Sequence, residues 1–263
     1  MILTFFRFIF FWVIKNMKME KHYSGSEIYA WSDANKTTPK TSAPALADAM
    51  ELFRPYAEAG REIVCFSISA GMSTSGNVMR LAAEELGASD RIKVIDSANL
   101  STGIGLLVVE AAIMAKNNRT ASQIVSEIER LKPNVRASFV VDTLTYLYRG
   151  GRCNAVAAMA GGILKLHPRI VVENGAMNAS KKYRGKINSV IMDYVKDMEK
   201  DLKKARPERV FITHSGCEQE TVEKVRAYLK ELDIFDEILE TRAGGVVSSH
   251  CGPGTLGVLY IAK

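Results

Sequence analysis

At 263 residues, 47% of them hydrophobic and 24% charged, the chain has the composition of an ordinary globular protein, with room for one large domain or two small ones. The net charge is +6, and residues 165–209, with 12 Lys/Arg against 6 Asp/Glu, carry all of that excess. Its aromatic residues, Tyr183 and Tyr194, are too few for the interleaved pattern a nucleic-acid surface needs. It therefore reads as a solvated face or as a surface for an anionic membrane or an acidic partner, with no nucleic acid expected.

In chain order, Met1 to Ile14 is nearly all apolar and aromatic, broken by Arg7 and followed by Lys15. That is shorter than the ~20 residues of a spanning helix, and it lacks the flanks of a signal peptide. Three readings stay open: a misplaced translation start (Met17 and Met19 offer later ones), a weak membrane anchor, or a strand-like piece of the fold. The first is preferred, and residues 1–20 are set apart as a hydrophobic leader. From Ala43 onward helix and strand alternate. Helices are predicted over Ala45–Ala59, Ser75–Leu86 and Thr102–Lys116. Another runs from the capping box Thr120-Ala121-Ser122-Gln123 to Leu131. Strands are predicted over Glu62–Ser69, Arg91–Ser97 and Ala137–Asp142. The first is a near-continuous apolar run of the kind buried on both faces. Such alternation indicates a parallel sheet covered by helices on both sides.

After Gly150-Gly151 the texture changes. Arg169–Glu173, Asn174-Gly175 and the polar run to Tyr183 form the pattern of a hairpin with a primed turn. Ile187–Ala205 is an amphipathic helix, Val210–Thr213 a strand, Glu218–Glu231 a helix and Gly257–Ala262 a final strand. The expectation is an α/β protein of two domains. Residues 21–155 form a Rossmann-like, mostly parallel sheet domain, and residues 156–263 form a mixed α+β domain.

Four cysteines, Cys65, Cys153, Cys217 and Cys251, lie far apart without a CxxC pair. That spacing speaks against a zinc cage and a dense disulfide framework, and reduced cytoplasmic thiols are the expectation. His214 and His250 have no carboxylate or cysteine at ligand spacing, so no metal is expected. No Walker loop or dinucleotide fingerprint occurs. Polar clusters follow the carboxyl ends of the strands, where open α/β sheets bind ligands: Ser67 to Ser75, Asp96-Ser97, Asp142-Thr143 and His214-Ser215. His250 stands in a glycine-rich corner, Ser248-Ser249-His250-Cys251-Gly252-Pro253-Gly254-Thr255, where backbone can approach a ligand closely. That corner suits an anion or a ligand oxygen; the plainer alternative is a turn carrying a surface histidine.

Taken together, these segments resemble the DegV family, the fatty-acid-binding subunits of bacterial fatty acid kinase. The matching pieces are Pro39-Lys40-Thr41-Ser42-Ala43-Pro44, Ser69-Ala70-Gly71-Met72-Ser73 and Val94-Ile95-Asp96-Ser97. They continue with Asp142 to Leu147 running into Gly150-Gly151-Arg152, then Lys165-Leu166-His167-Pro168, Tyr183-Arg184-Gly185-Lys186 and His250 to Gly254. Seven pieces in this order span about residues 28–262. The resemblance implies one long-chain fatty acid held between two domains and no other cofactor. It implies Thr41, Ser73 and His250 on the carboxylate, with Ser42, Thr74, Gly252 and Gly254 as neighbouring loop residues. The partner implied is the catalytic subunit of a fatty acid kinase, with Arg184 as contact candidate, in the cytoplasm and with transient membrane-surface contact. This chain would then present the carboxylate without catalysing its phosphorylation.

The chemistry of the residues agrees with that implication. A buried carboxylate needs hydrogen bonds, and bonds to a charged acceptor are strong ones. An acyl chain of ~14 methylenes gains up to about 11 kcal/mol at ~0.8 kcal/mol per methylene, before ordering costs. Gly103–Ala115 and Val156–Leu164 are the apolar helices proposed to line it. The chain departs from the family pattern at Thr74, where glycine is usual, at Lys40, and before residue 28, where a first strand ending in Asp-Ser is absent, so the N-terminal domain is expected to be truncated at its front. The alternative function is a serine-dependent hydrolase acting on an acyl ester, with Ser73, His250 and Asp96 as its triad. Gly71-Met72-Ser73-Thr74-Ser75 lacks the second glycine of a nucleophile elbow, which weakens that alternative.

Overall fold

The structure, a computed structural model, describes residues 25–152 and 166–263 in full and residues 2–4 and 8–12 by their backbone. Two compact units emerge. The first comprises residues 1–18, 42–133 and 174–176, the second residues 19–41, 134–173 and 177–263.

The first unit is built on a four-stranded sheet in the order β1-β2-β3-β4. β1 is Ile2–Thr4, β2 Phe8–Trp12, β3 Glu62–Ser67 and β4 Ile92–Asp96. β2, β3 and β4 are parallel, and β1 turns back antiparallel on β2. Of the three readings of the leader, the structure takes the strand: Phe8 to Trp12 pair with Glu62 to Phe66. An unpaired edge of β3 would leave a row of peptide groups without partners, and this strand fills it.

Every residue of β3 after Glu62 is buried. Because side chains alternate along a strand, a run buried throughout needs cover on both faces. Ile63 and Cys65 join the cluster of Phe53 and Met79, from α2 (Leu46–Glu58) and α3 (Ser75–Glu85). Val64 and Phe66 point the other way and are equally buried. Helices α4 (Ser101–Lys116) and α5 (Ala121–Leu131) also pack on β3. α5 begins at the expected capping box, in which the Thr120 hydroxyl and the Gln123 side chain each accept the other's backbone N–H.

The second unit contains a six-stranded sheet in the order β7-β6-β5-β10-β8-β9. These strands are β5 Val135–Val140, β6 Leu166–Glu173, β7 Ala176–Arg184, β8 Ala205–His214, β9 Glu237–Arg242 and β10 Leu256–Ala262. β5 is the third predicted strand, but it does not extend the parallel sheet. It pairs antiparallel with β10 and β6. The chain therefore changes units between Pro133 and Asn134, ahead of the boundary anticipated near residue 155. The β6–β7 turn has both residues at positive φ, Asn174 at 51° and Gly175 at 76°, as the primed turn requires.

The core of this unit lies between the sheet and α7 (Ile187–Asp197), α8 (Glu199–Leu202) and α9 (Gln219–Glu231). Tyr194 is fully buried, and its hydroxyl donates to the Ser138 carbonyl at 2.8 Å while accepting the Val258 N–H at 3.0 Å. That arrangement satisfies a core polar group. Three further helices, α1 (Gly25–Asn35), α6 (Thr145–Arg149) and α10 (Gly245–Cys251), pack together, α10 touching both others. None of these three is expected from the sequence, and the segment of α10 reads there as a glycine-rich turn. Among the described residues no helix is long and apolar enough to cross a membrane.

Candidate functional site

In the second unit the extended segment after α1 carries Thr41 to α10. Thr41 Oγ1 and His250 Nε2 lie 2.7 Å apart, joining residues 209 positions apart in the chain. His250 occupies the last turn of α10, and Gly252, at φ 73° and ψ 175°, ends that helix in an extended positive-φ conformation open essentially to glycine alone. Burial, reinforced by the Arg152 charge, lowers the His250 pKa from 6.5 to about 4. The imidazole is therefore neutral at pH 7.

His250 Nδ1 is buried and has no hydrogen-bond partner among the described residues. Gly150 is the reason it fits: a Cβ at Gly150 would sit 2.1 Å from Nδ1 and 2.8 Å from Cε1. Of the two neutral tautomers, the one protonated on Nε2 is favoured, because a buried orphan N–H is rarer in proteins than an orphan acceptor. In that tautomer Nε2–H donates to Thr41 Oγ1, and the Thr41 hydroxyl proton is free to donate to a ligand oxygen. The pair is thus an uncharged donor relay, suited to an anion whose own charge supplies the strength of the bond.

The walls around the pair follow from the same helices. Tyr146 of α6 meets Tyr29 of α1 edge to face, with centroids 6.0 Å apart at 88°. The Tyr29 hydroxyl donates to the Ser215 carbonyl at 3.2 Å, and burial raises its pKa. A Cβ at Gly252 would lie 2.5 Å from Tyr146 Cδ2, so this glycine admits the ring. Gly254 backs onto Asp142 in the same manner, though less tightly, its absent Cβ falling 3.4 Å from Asp142 Cβ.

Ser73 belongs to the first unit. It sits in the loop between β3 and α3, where its Oγ accepts the Ser75 N–H at 3.2 Å and shares a hydrogen bond with Ser75 Oγ at 2.8 Å. Of the neighbouring loop candidates, Ser42 and Thr74 are exposed, as is Lys40. Arg184 is exposed beside Gly185, in the turn between β7 and α7. The Gly103–Ala115 segment is in α4, buried over most of its length. Val156–Leu164 lies outside the described residues.

The hydrolase alternative needs an acid on His250 Nδ1, and that nitrogen has no partner among the described residues. Asp96 is engaged elsewhere, accepting the Ala70 and Ala98 amides. His214 is a buried structural histidine, with Nδ1 accepting the Cys217 N–H and Nε2 3.3 Å from Glu240. No group of three metal-ligating side chains occurs among the described residues. Cys65, Cys217 and Cys251 are free thiols, and burial raises each pKa to about 12.

Sequence reasoning missed the parts played by Gly150, Gly252 and Tyr146. The doublet Gly150-Gly151 was visible, but nothing local says that the first of these glycines faces an imidazole a hundred residues further along.

Fold and site together define a two-unit α/β protein with a half-buried, uncharged hydroxyl–imidazole pair in its second unit. Comparison with known proteins narrows this class. A profile described as uncharacterised protein, DegV family, matches residues 15–263. A DegV domain-containing protein of Deinococcus radiodurans is 32% identical over 226 residues, 86% of this chain and 79% of that one. The structure of a DegV family protein from Thermus thermophilus, described for its fatty acid binding, superposes with a TM-score of 0.81 at 26% identity. It covers 92% of this chain and 85% of that one. A stearic-acid-binding protein from Eubacterium ventriosum is also 26% identical, with a TM-score of 0.78 over 92% of this chain and 84% of its own. The chain belongs to the DegV family.

Proposed function

We propose that this protein binds one long-chain fatty acid and presents its carboxylate to a partner kinase for acyl-phosphate formation, without itself catalysing that step. The observation that carries the reading is the Thr41–His250 hydrogen bond of 2.7 Å around a neutral imidazole. It is a donor arrangement for a carboxylate and, with no acid on Nδ1 among the described residues, a poor one for nucleophilic catalysis. Ser73 is the third donor in this proposal, and Arg184, exposed on its turn, is the kinase contact. The two solved relatives named for fatty-acid binding support the ligand class. The kinase role rests on the family resemblance of the motifs, and the partner would hold the nucleotide.

Native mass spectrometry of the purified protein is expected to show a co-purified fatty acid. In a stearate titration, His250→Ala is expected to weaken affinity by about tenfold or more, since losing one charged hydrogen bond costs ~1.5–3 kcal/mol. Unchanged affinity would remove His250 from the site.

A further inference from the structure

The residue that shapes the Ser73 loop is Ser69, and all its polar groups are spent on that task. Ser69 is 1% exposed. Its N–H donates to the Asn99 carbonyl at 2.9 Å, and its own carbonyl accepts the Met72 and Ser73 amides at 2.9 and 3.1 Å. Its hydroxyl accepts the Gly71 N–H at 3.1 Å and donates to the Gly175 carbonyl at 2.6 Å. Gly175 is the second residue of the β6–β7 turn. Residues 174–176 cluster with the first unit, whereas the strands they join belong to the second.

The seat is cut for glycine on both sides. A Cβ at Gly71 would lie 2.8 Å from the Gly175 carbonyl oxygen, and one at Gly175 would lie 2.7 Å from Ser69 Oγ. Gly175 is also at φ 76°, where a side chain adds strain. A hairpin turn that served only to reverse the chain would need the positive φ and nothing more. Here the turn also accepts a hydrogen bond from, and packs closely against, a loop whose last residues, Ser73 to Ser75, open α3.

We propose that the β6–β7 turn, through the Ser69–Gly175 hydrogen bond, is the template that sets the position of the Ser73 hydroxyl, and that Ser69 is a positioning residue for fatty-acid binding that never touches the ligand. This rests on the fatty-acid reading above and adds to it a residue and a hairpin turn acting through Ser73.

The test is a double-mutant cycle read by stearate titration of the full chain. Ser69→Ala and Gly175→Ala are each expected to weaken stearate binding about tenfold, the loss of one hydrogen bond to a charged acceptor. In a Ser73→Ala background neither is expected to weaken it further, because both act through Ser73. Ser69→Ala removes one oxygen, and Gly175→Ala perturbs the same contact by adding a methyl group, so either can report if the other fails to fold. Effects that add fully to that of Ser73→Ala, or wild-type affinity in both single variants, would overturn the proposal. If the wild-type chain binds no stearate, the fatty-acid reading itself fails, and the two failures are thus distinguishable.

Discussion

His250 shows how a single residue can be legible in type and illegible in role. Its glycine-rich surroundings in the sequence announce close approach, but they do not announce its partner. Thr41 lies 209 positions away and Gly150 a hundred, and only folding brings a hydroxyl to Nε2 and a missing side chain to Nδ1. Burial in that fold, reinforced by the Arg152 charge, converts a group that ordinarily titrates near neutrality into one held neutral down to about pH 4. In the unfolded chain the same ring protonates near pH ~6.5. Between these two values the unfolded state takes up a proton that the folded state refuses. The stability due to the neutral ring is therefore complete above about pH 6.5 and is lost as pH falls toward 4. Urea denaturation at pH 7.5 and pH 4.5 is expected to show a larger loss of stability for the wild type than for His250→Gln. Equal losses would assign the acid sensitivity to other groups.

Elements were the most legible scale where a local rule decides and the least where pairing does. The capping box at Thr120 and Gln123 forms as the four residues predict, because both of its hydrogen bonds close within one turn. Thr120→Ala is expected to destabilise the first unit by ~1 kcal/mol, the usual worth of an N-cap. Its urea midpoint is expected to fall with an unchanged m-value; a midpoint equal to wild type would show that the cap contributes nothing. The Asn174-Gly175 turn was equally legible, since a primed hairpin turn demands positive φ at two successive residues. β5 was not. Its run of buried residues fits any interior strand, and its choice of β10 and β6 over β4 depends on strands more than a hundred residues downstream as well as near ones. α10 was hidden for a different reason: glycines at both ends mask a helix of only seven residues.

Across the whole molecule, two separate apolar clusters, one around Phe53, Ile63 and Met79 and one around Tyr194, Val225 and Val258, give each unit a core of its own. Calorimetry of the ligand-free chain is accordingly expected to resolve two transitions, and saturating stearate to raise the transition of the second unit, which holds Thr41 and His250. At a hundred times Kd the expected stabilisation is about 2.7 kcal/mol. A stearate-insensitive melt would contradict the assignment of those residues to the ligand. By itself the sequence determined the class of fold, the helices and strands with strong periodicity or caps, and the family, because these depend on local pattern and on motifs in a fixed order. The tertiary structure decided which strands share a sheet, that the leader's Phe8 to Trp12 pair with β3, and that Thr41 and His250 meet over Gly150. It also seated a hairpin turn beneath the Ser73 loop. Those are outcomes of packing between distant segments, and the free energy that selects them is absent from any short stretch of chain.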